Sequence, residues 1–112
     1  MDDSDYFDLV EEIFNSIEDQ VDELDFDLDI DVSGGILTVS FPDGSSIVLS
    51  KQVATHEIWV AAKSGGFHLK NQAGSWICST TGEDLAAMLN RVFSEQLNLG
   101  SDSGPQFELP AS

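Results

Sequence analysis

Apolar residues near the start of the chain follow two different periods. From Tyr6 to Leu24 they recur at steps of three and four, the spacing of one helix face: Tyr6, Leu9, Val10, Ile13, Ile17, Val21 and Leu24. From Asp25 to Val32 apolar and acidic residues alternate strictly, which is typical of a strand. The pattern predicts a helix over residues 4–24 with Ser4 as N-cap. It then predicts a strand whose apolar residues face the core: Phe26, Leu28, Ile30 and Val32.

Turn residues divide the middle of the chain into short extended segments. Gly34-Gly35 predicts a tight hairpin, and Pro42-Asp43-Gly44 predicts a second turn. The strands expected between these and later turns cover Ile36–Phe41, Ser46–Ser50, His56–Ala62, Phe67–Lys70 and Trp76–Cys78. About six strands therefore lie within residues 25–78. The side chains expected on their water-facing side are Thr38, Ser40, Glu57, Trp59, His68 and Lys70.

A second amphipathic helix is predicted over residues 82–97. Thr81, with Asp84 three residues later, resembles a capping box. The apolar stripe that follows is Leu85, Met88, Leu89, Val92, Phe93 and Leu97. Residues 98–112 form a tail with an apolar tip, Phe107 and Leu109, which either fills the groove between the helices or is disordered.

This order of elements predicts an α+β fold. Short turns imply antiparallel neighbours. Two amphipathic helices need one apolar sheet face to cover, so we expect a two-layer sandwich in which both helices pack on the same face of an antiparallel sheet of about six strands.

Charge is the most unusual property of the chain. The 112 residues include 21 acids and four bases, and the formal net charge is −17. Fourteen of the acids lie within the first 31 positions, and the first base is Lys51. Such a charge argues against binding to nucleic acid or to an anionic membrane, and it favours cations or basic protein surfaces. We expect a soluble, cytoplasmic protein, since the acidic N-terminus is unlike a signal peptide and no apolar run approaches the length of a membrane span.

The acids of the first helix lie where they oppose its stability. Glu18/Asp22, Asp19/Asp22 and Asp19/Glu23 are like-charge pairs at helical spacing, close to the C-terminus of the helix. A solvated, solubility-promoting face is one interpretation, and a binding surface is the other. Carboxylates suit hard cations such as Ca²⁺, Mg²⁺, Mn²⁺ and iron. An EF-hand is excluded because Ile30 stands where that loop needs glycine.

Several segments together resemble the frataxin family, specifically its bacterial CyaY type. They are the acid-rich first helix with residues 25–31, the hairpin from Gly34 to Phe41, Gln52, and the segments 56–59, 63–68, 76–78 and 82–83. The resemblance covers essentially the whole chain and implies one domain over residues 1–112. It also implies a non-enzymatic role in iron–sulfur cluster biogenesis, with Fe²⁺/Fe³⁺ bound on acids and docking on a cysteine desulfurase of the IscS type and its scaffold complex.

By position, the metal-binding acids of the family fall on eight residues that we call the acidic ridge: Glu18, Asp19, Asp22, Glu23, Asp25, Asp27, Asp29 and Asp31. The expected partner contacts are Glu18, Asp19, Asp22 and Glu23 together with Trp59, which is alternatively a half-buried packing residue. His56 and His68 are expected to be surface strand residues, and Cys78 a buried small hydrophobe.

Three functions remain open at this point. The first is an iron-binding adaptor of cluster assembly, the second a metal-independent acidic interaction module, and the third a DNA mimic. No catalytic motif is present, so no enzyme is expected. We expect a monomer and leave open whether metal induces oligomers.

Overall fold

The computed structural model describes residues 2–99 and 104–109. These residues form helices α1 (Asp3–Asp22) and α2 (Leu85–Gln96) and one six-stranded sheet. The strands are β1 (Asp29–Ser33), β2 (Ile36–Ser40), β3 (Ser46–Gln52), β4 (Glu57–Ala62), β5 (Gly65–Gln72) and β6 (Ser75–Cys78). A single 3₁₀ turn, Val53–Thr55, joins β3 to β4.

The sheet is an antiparallel meander with strand order β1 to β6. Both helices bury their apolar stripes against one of its faces, and the predicted two-layer α+β sandwich is confirmed. α1 contributes Tyr6, Val10, Ile13, Phe14, Ile17 and Val21 to the core, and α2 contributes Leu85, Met88, Leu89, Val92 and Phe93. Cys78 is fully buried among them, as expected.

Both helices begin at a cap other than the predicted one. The Asp2 carboxylate accepts a hydrogen bond of 2.8 Å from the backbone N–H of Asp5, so Asp2 and not Ser4 is the N-cap of α1. α2 begins at Leu85 and not at residue 82, because Asp84 accepts from the N–H of Ala87 at 2.8 Å. Aspartate caps as well as Ser or Thr and adds a negative charge at the positive end of the helix.

The first strand is shorter than the alternation predicted. β1 covers only Asp29–Ser33, because β2, with which it pairs, ends at Ser40, and Ser40 pairs with Asp29. Continuing that register would place Asp27 opposite Pro42, which has no N–H to donate. Of the four residues predicted to face the core, Leu28 and Ile30 are half-buried against it, whereas Phe26 and Val32 are exposed.

The described part of the tail contacts both helices, which agrees with the expectation that its apolar tip packs between them. Phe107 is buried, and its ring meets that of Phe93 edge-to-face at 4.8 Å. Gln20 of α1 donates to the carbonyl oxygen of Glu108 at 2.6 Å, and the Asn90 side-chain oxygen accepts from the N–H of Phe107 at 2.6 Å. The rest of the predicted tail, residues 100–103 and 110–112, lies outside the described residues. Neither α1 nor α2 is long and apolar enough to cross a membrane.

Candidate functional site

Half of the acidic ridge lies at the C-terminal end of α1. Asp19, Asp22 and Glu23 are exposed, and Glu18 is half-buried. Glu23 is the C-cap residue, and the last turn contains no basic residue. The exposed carbonyl groups of this helix end and the neighbouring carboxylates therefore add to the same negative potential.

The other half follows the chain from α1 into the sheet edge. Asp25 and Asp27 lie in the connection between α1 and β1, and both are exposed. Asp29 and Asp31 lie on β1, where they pair with Ser40 and Thr38 of β2. Since Ile30 and Val32 alternate with them and pair with core residues of β2, these two aspartates lie on the sheet face opposite the helices.

The ridge carboxylates have no cationic partners in the described parts of the chain. The ion pairs found there join His56 to Asp3, Lys63 to Asp43, and Arg91 to both Glu83 and Glu95. All involve acids outside the ridge. The ridge charge is therefore neutralised only by what solution or a partner supplies.

The ridge does not form a prebuilt chelating site. Within residues 2–99 and 104–109, no group of three or more His, Cys, Asp or Glu side chains is close enough to hold a metal ion. The donor type still suits iron, since carboxylate oxygens are ligands for hard cations. Binding by this arrangement would use one or two carboxylates at a time together with water.

Trp59 lies on the open sheet face, away from the helices. Its side chain is 39% exposed. The indole stacks on the His68 imidazole with ring centroids 4.3 Å apart and planes 5° from parallel. The indole Nε1–H also donates to Glu57 Oε1 at 3.4 Å. These two contacts fix the orientation of the ring, and more than a third of the side chain remains exposed.

Glu57 was expected to face water, but it is only 8% exposed. Glu57 lies two residues before Trp59 on the same face of β4 and pairs with Lys70 of β5. A hydrogen bond from the Thr55 side chain is the main cause that lowers the pKa of the Glu57 carboxyl, with a smaller contribution from Trp59. A buried and ionised carboxylate therefore holds the tryptophan in place.

The contacts of Trp59 with His68 and Glu57 were not predicted from the sequence. The Trp59–His68 pair depends on the register of β4 against β5, which the turn at Lys63-Ser64 sets. His68 is an exposed strand residue, as expected. The expectation for His56 was wrong: it lies outside the strands, has a left-handed backbone (φ 52°), stacks on Tyr6 and contacts Asp3 at 2.7 Å.

Trp59 and the strand part of the ridge share one face of the sheet. The two features are linked by cross-strand pairs that begin at Ser33, two residues after Asp31 on the same face of β1. Ser33 pairs with Ile36 of β2, Ile36 pairs with Ser50 of β3, and Ser50 pairs with Trp59 of β4. Three strand spacings separate β1 from β4, which corresponds to about 14 Å. One partner protein of ordinary size would cover both features at once.

The sequence is similar to a family of known proteins. The family model for the Frataxin-like domain matches residues 1–99. The iron-sulfur cluster assembly protein CyaY of Stutzerimonas stutzeri is 47% identical over 93 residues, which cover 81% of this chain and 84% of the relative. The protein of the same name from Pseudomonas aeruginosa is 43% identical over 98 residues, covering 86% and 91% of the two chains.

Solved structures agree with the sequence comparisons. Frataxin from Psychromonas ingrahamii superposes with a TM-score of 0.82 at 26% identity, covering 88% of this chain and 94% of that one. Trimeric frataxin from Saccharomyces cerevisiae, complexed with ferrous iron, has the same fold, with a TM-score of 0.65 at 22% identity and coverage of 83% and 85%. This chain belongs to the frataxin family.

Proposed function

We propose that this protein is a non-enzymatic, iron-binding adaptor of iron–sulfur cluster assembly in the bacterial cytoplasm. In this proposal it holds Fe²⁺ or Fe³⁺ weakly on the acidic ridge and docks on a cysteine desulfurase of the IscS type and its scaffold complex. The observation that carries the proposal is the unpaired ridge: eight acids that follow one helix end, one connection and one strand and have no cationic partner among residues 2–99 and 104–109.

The chemistry of the ridge supports labile iron as cargo. Exposed carboxylates that do not converge bind hard cations with fast exchange, which suits a protein that must release iron again. The names of the relatives support the pathway, since proteins 47% and 43% identical are called iron-sulfur cluster assembly proteins.

The electrostatics of the ridge support docking on a basic protein. Unpaired negative charge steers a positively charged surface into contact, and the attraction weakens as salt screens it. Trp59 supplies the aromatic surface that often anchors such an interface, and it is already oriented by Glu57 and His68. We assign the contacts with the desulfurase to Glu18, Asp19, Asp22, Glu23 and Trp59.

Two separate titrations test the proposal. Fe²⁺ under anaerobic conditions and purified cysteine desulfurase are each titrated calorimetrically into the wild type and into Asp22→Asn/Glu23→Gln. The matched control is Asp8→Asn/Glu12→Gln, which removes the same charge from the same helix outside the ridge. We expect the ridge variant to lose more affinity than the control for both ligands. Equal losses of affinity in the two variants would show that only the total negative charge matters and would contradict a specific site on the ridge.

A second candidate function is a metal-independent acidic interaction module. The absence of a convergent group of ligands in the described residues favours it, because binding to a partner needs only the charge. The same titrations distinguish the two. If the ridge variant loses affinity for the desulfurase but binds Fe²⁺ as well as the control does, the second candidate is supported. If the ridge variant binds both ligands as well as the control does, the partner site lies elsewhere.

A further inference from the structure

A groove lined by both apolar and polar residues lies between α1 and the β1 side of the sheet. It has a volume of about 290 Å³ and lies outside the acidic ridge. α1 contributes Phe7, Val10, Glu11, Phe14 and Asn15 to its walls, and the sheet contributes Val32, Gly35 and Lys51.

The groove exposes apolar surface that the folding pattern would otherwise bury. Val32 lies on the helix-facing side of β1, because it pairs with the fully buried Leu37, yet it is 41% exposed. Phe7 is 39% exposed on the same side, one turn from the buried Val10. β1 is an edge strand of the sheet, so within the described part of the chain no further strand continues the surface beyond Val32.

The floor of the groove has a fixed shape. The Lys51 N–H donates to the Gly35 carbonyl oxygen at 3.0 Å, and the Lys51 Nζ lies 4.6 Å from the centroid of the Phe7 ring. Gly35 has a φ of +79°, and a Cβ at that position would lie 2.7 Å from Lys51 Cε. The positive φ favours glycine at position 35, and the cation–π contact places the Lys51 ammonium over the Phe7 ring.

The surroundings of the groove decide what can occupy it. Glu11 lines it, and the chain as a whole carries a formal net charge of −17. A second copy of the chain would bring another net charge of −17 to the same surface, which opposes self-association. A basic segment is attracted, and its apolar side chain would find an apolar wall.

We propose that this groove is an anchor pocket for a bulky apolar side chain, flanked by basic residues, on the protein that docks on the acidic ridge. The inference rests on the proposed function and adds a second kind of contact to it. The ridge supplies long-range attraction, which salt screens, and the groove supplies burial of apolar surface, which salt does not screen. Affinity would then come largely from a few anchors of this kind.

The test compares two phenylalanines of nearly equal exposure. Phe7→Gln changes the groove, and Phe26→Gln is the matched control, since Phe26 is 36% exposed and does not line it. Binding of purified cysteine desulfurase to each variant is measured by calorimetry at several salt concentrations. We expect Phe7→Gln to weaken binding about tenfold without changing the salt dependence, as truncation of an anchor contact does, and Phe26→Gln to have little effect.

Val32→Thr provides the same test with less risk to the fold. Threonine keeps the branched shape but replaces a methyl by a hydroxyl, and it is equally suited to a strand. We expect about threefold weaker binding, because part of the apolar contact is lost. Thermal unfolding of all three variants shows whether they are folded.

The outcomes separate the groove from the ridge. Wild-type affinity in folded Phe7→Gln and Val32→Thr, combined with weakened binding by Asp22→Asn/Glu23→Gln, would overturn the groove and leave the proposed function standing. No binding of the desulfurase to the wild type would overturn both. A dimer in analytical ultracentrifugation that Phe7→Gln abolishes would assign the groove to a second copy and overturn the proposal.

Discussion

At the scale of single residues, Tyr6 connects the first helix to the strand that carries Trp59. Its hydroxyl donates to the Glu57 carbonyl oxygen at 2.6 Å and accepts from the Gln52 N–H at 2.8 Å. Gln52 and Glu57 are the last pair in the register of β3 and β4, on either side of the 3₁₀ turn. The ring is fully buried, and this burial raises the pKa of the hydroxyl. Tyr6 therefore positions the start of β4, two residues before Trp59.

Replacing this hydroxyl should be costly. Tyr6→Phe keeps the ring but leaves the half-buried Gln52 N–H and the buried Glu57 carbonyl group without the tyrosine hydroxyl, and loss of the partner of a buried polar group destabilises a protein by about 1–3 kcal/mol. Urea unfolding followed by circular dichroism measures the change in the free energy of unfolding. A change below about 0.5 kcal/mol would show that other groups or water replace the hydroxyl.

The sequence predicted the burial of Tyr6 but not its role. The helical stripe from Tyr6 to Leu24 places the ring in the core. The partners of its hydroxyl lie 46 and 51 positions later in the chain, and only the packing of α1 on the sheet brings them together. The burial of Glu57 was missed for a similar reason. Strand alternation predicted an exposed carboxylate there, because periodicity does not show which neighbours cover a side chain.

At the scale of secondary-structure elements, α1 and β1 differ in how well the sequence predicted them. α1 is long and strongly periodic, and the predicted and observed helices differ by one residue at the start and two at the end. The alternation from Asp25 to Val32 predicted a strand of eight residues, whereas β1 has five. A strand needs a partner as well as a pattern, and β2 offers only five pairs before Phe41 and Pro42 turn away.

The end of α1 should be stabilised when its acids are neutralised. Asp22→Asn/Glu23→Gln removes charge next to the negative end of the helix, where each charge costs about 0.3–1 kcal/mol at low salt. Asp8→Asn/Glu12→Gln removes three like-charge pairs, Asp5/Asp8, Asp8/Glu11 and Asp8/Glu12, each of which costs about 0.2–0.5 kcal/mol. It removes no charge at the helix end, so it should gain less than the first variant, which also removes three such pairs. Thermal unfolding at low and high ionic strength compares the variants. A lower melting temperature for Asp22→Asn/Glu23→Gln would contradict the claim that these acids lack stabilising partners in the described parts of the chain.

α2 is tied to the loop before it by a carboxylate–guanidinium pair. Arg91 donates to both oxygens of Glu83 at 2.8 Å. These hydrogen bonds are the main cause that lowers the pKa of Glu83 below its usual 4.5. The stabilisation is therefore present above that pH and is lost as the pH falls through the lower pKa of the folded protein.

Glu83→Gln should show this pH dependence directly. The variant should be less stable than the wild type by about 1 kcal/mol at neutral pH, because a bidentate, charge-assisted pair at a half-exposed position is lost. The difference should shrink as the pH falls from 4.5 through the lower pKa of the folded wild type, where the Glu83 carboxyl becomes protonated as well. Urea unfolding at a series of pH values measures it, and a difference independent of pH would contradict the ion pair as its cause.

At the scale of the whole molecule, one compact layer of helices holds negative charge at one edge of the sheet and leaves the opposite sheet face open. The α+β class, the six strands and the shared helix face were predictable, because they follow from periodicity and turn residues. The sheet-edge groove was not, since Val32 alternates like a core residue and only the edge position of β1 leaves it exposed.

The central claim is that positive species bind first on the acidic ridge. A titration of ¹⁵N-labelled protein with Co²⁺, and then anaerobically with Fe²⁺, tests it most directly, because a paramagnetic ion broadens the amide signals nearest to it. The account predicts that signals of residues 18–31 broaden first and that Asp22→Asn/Glu23→Gln delays this, whereas Asp8→Asn/Glu12→Gln does not. Earliest broadening around other carboxylates or the histidines, with residues 18–31 unchanged, would contradict it.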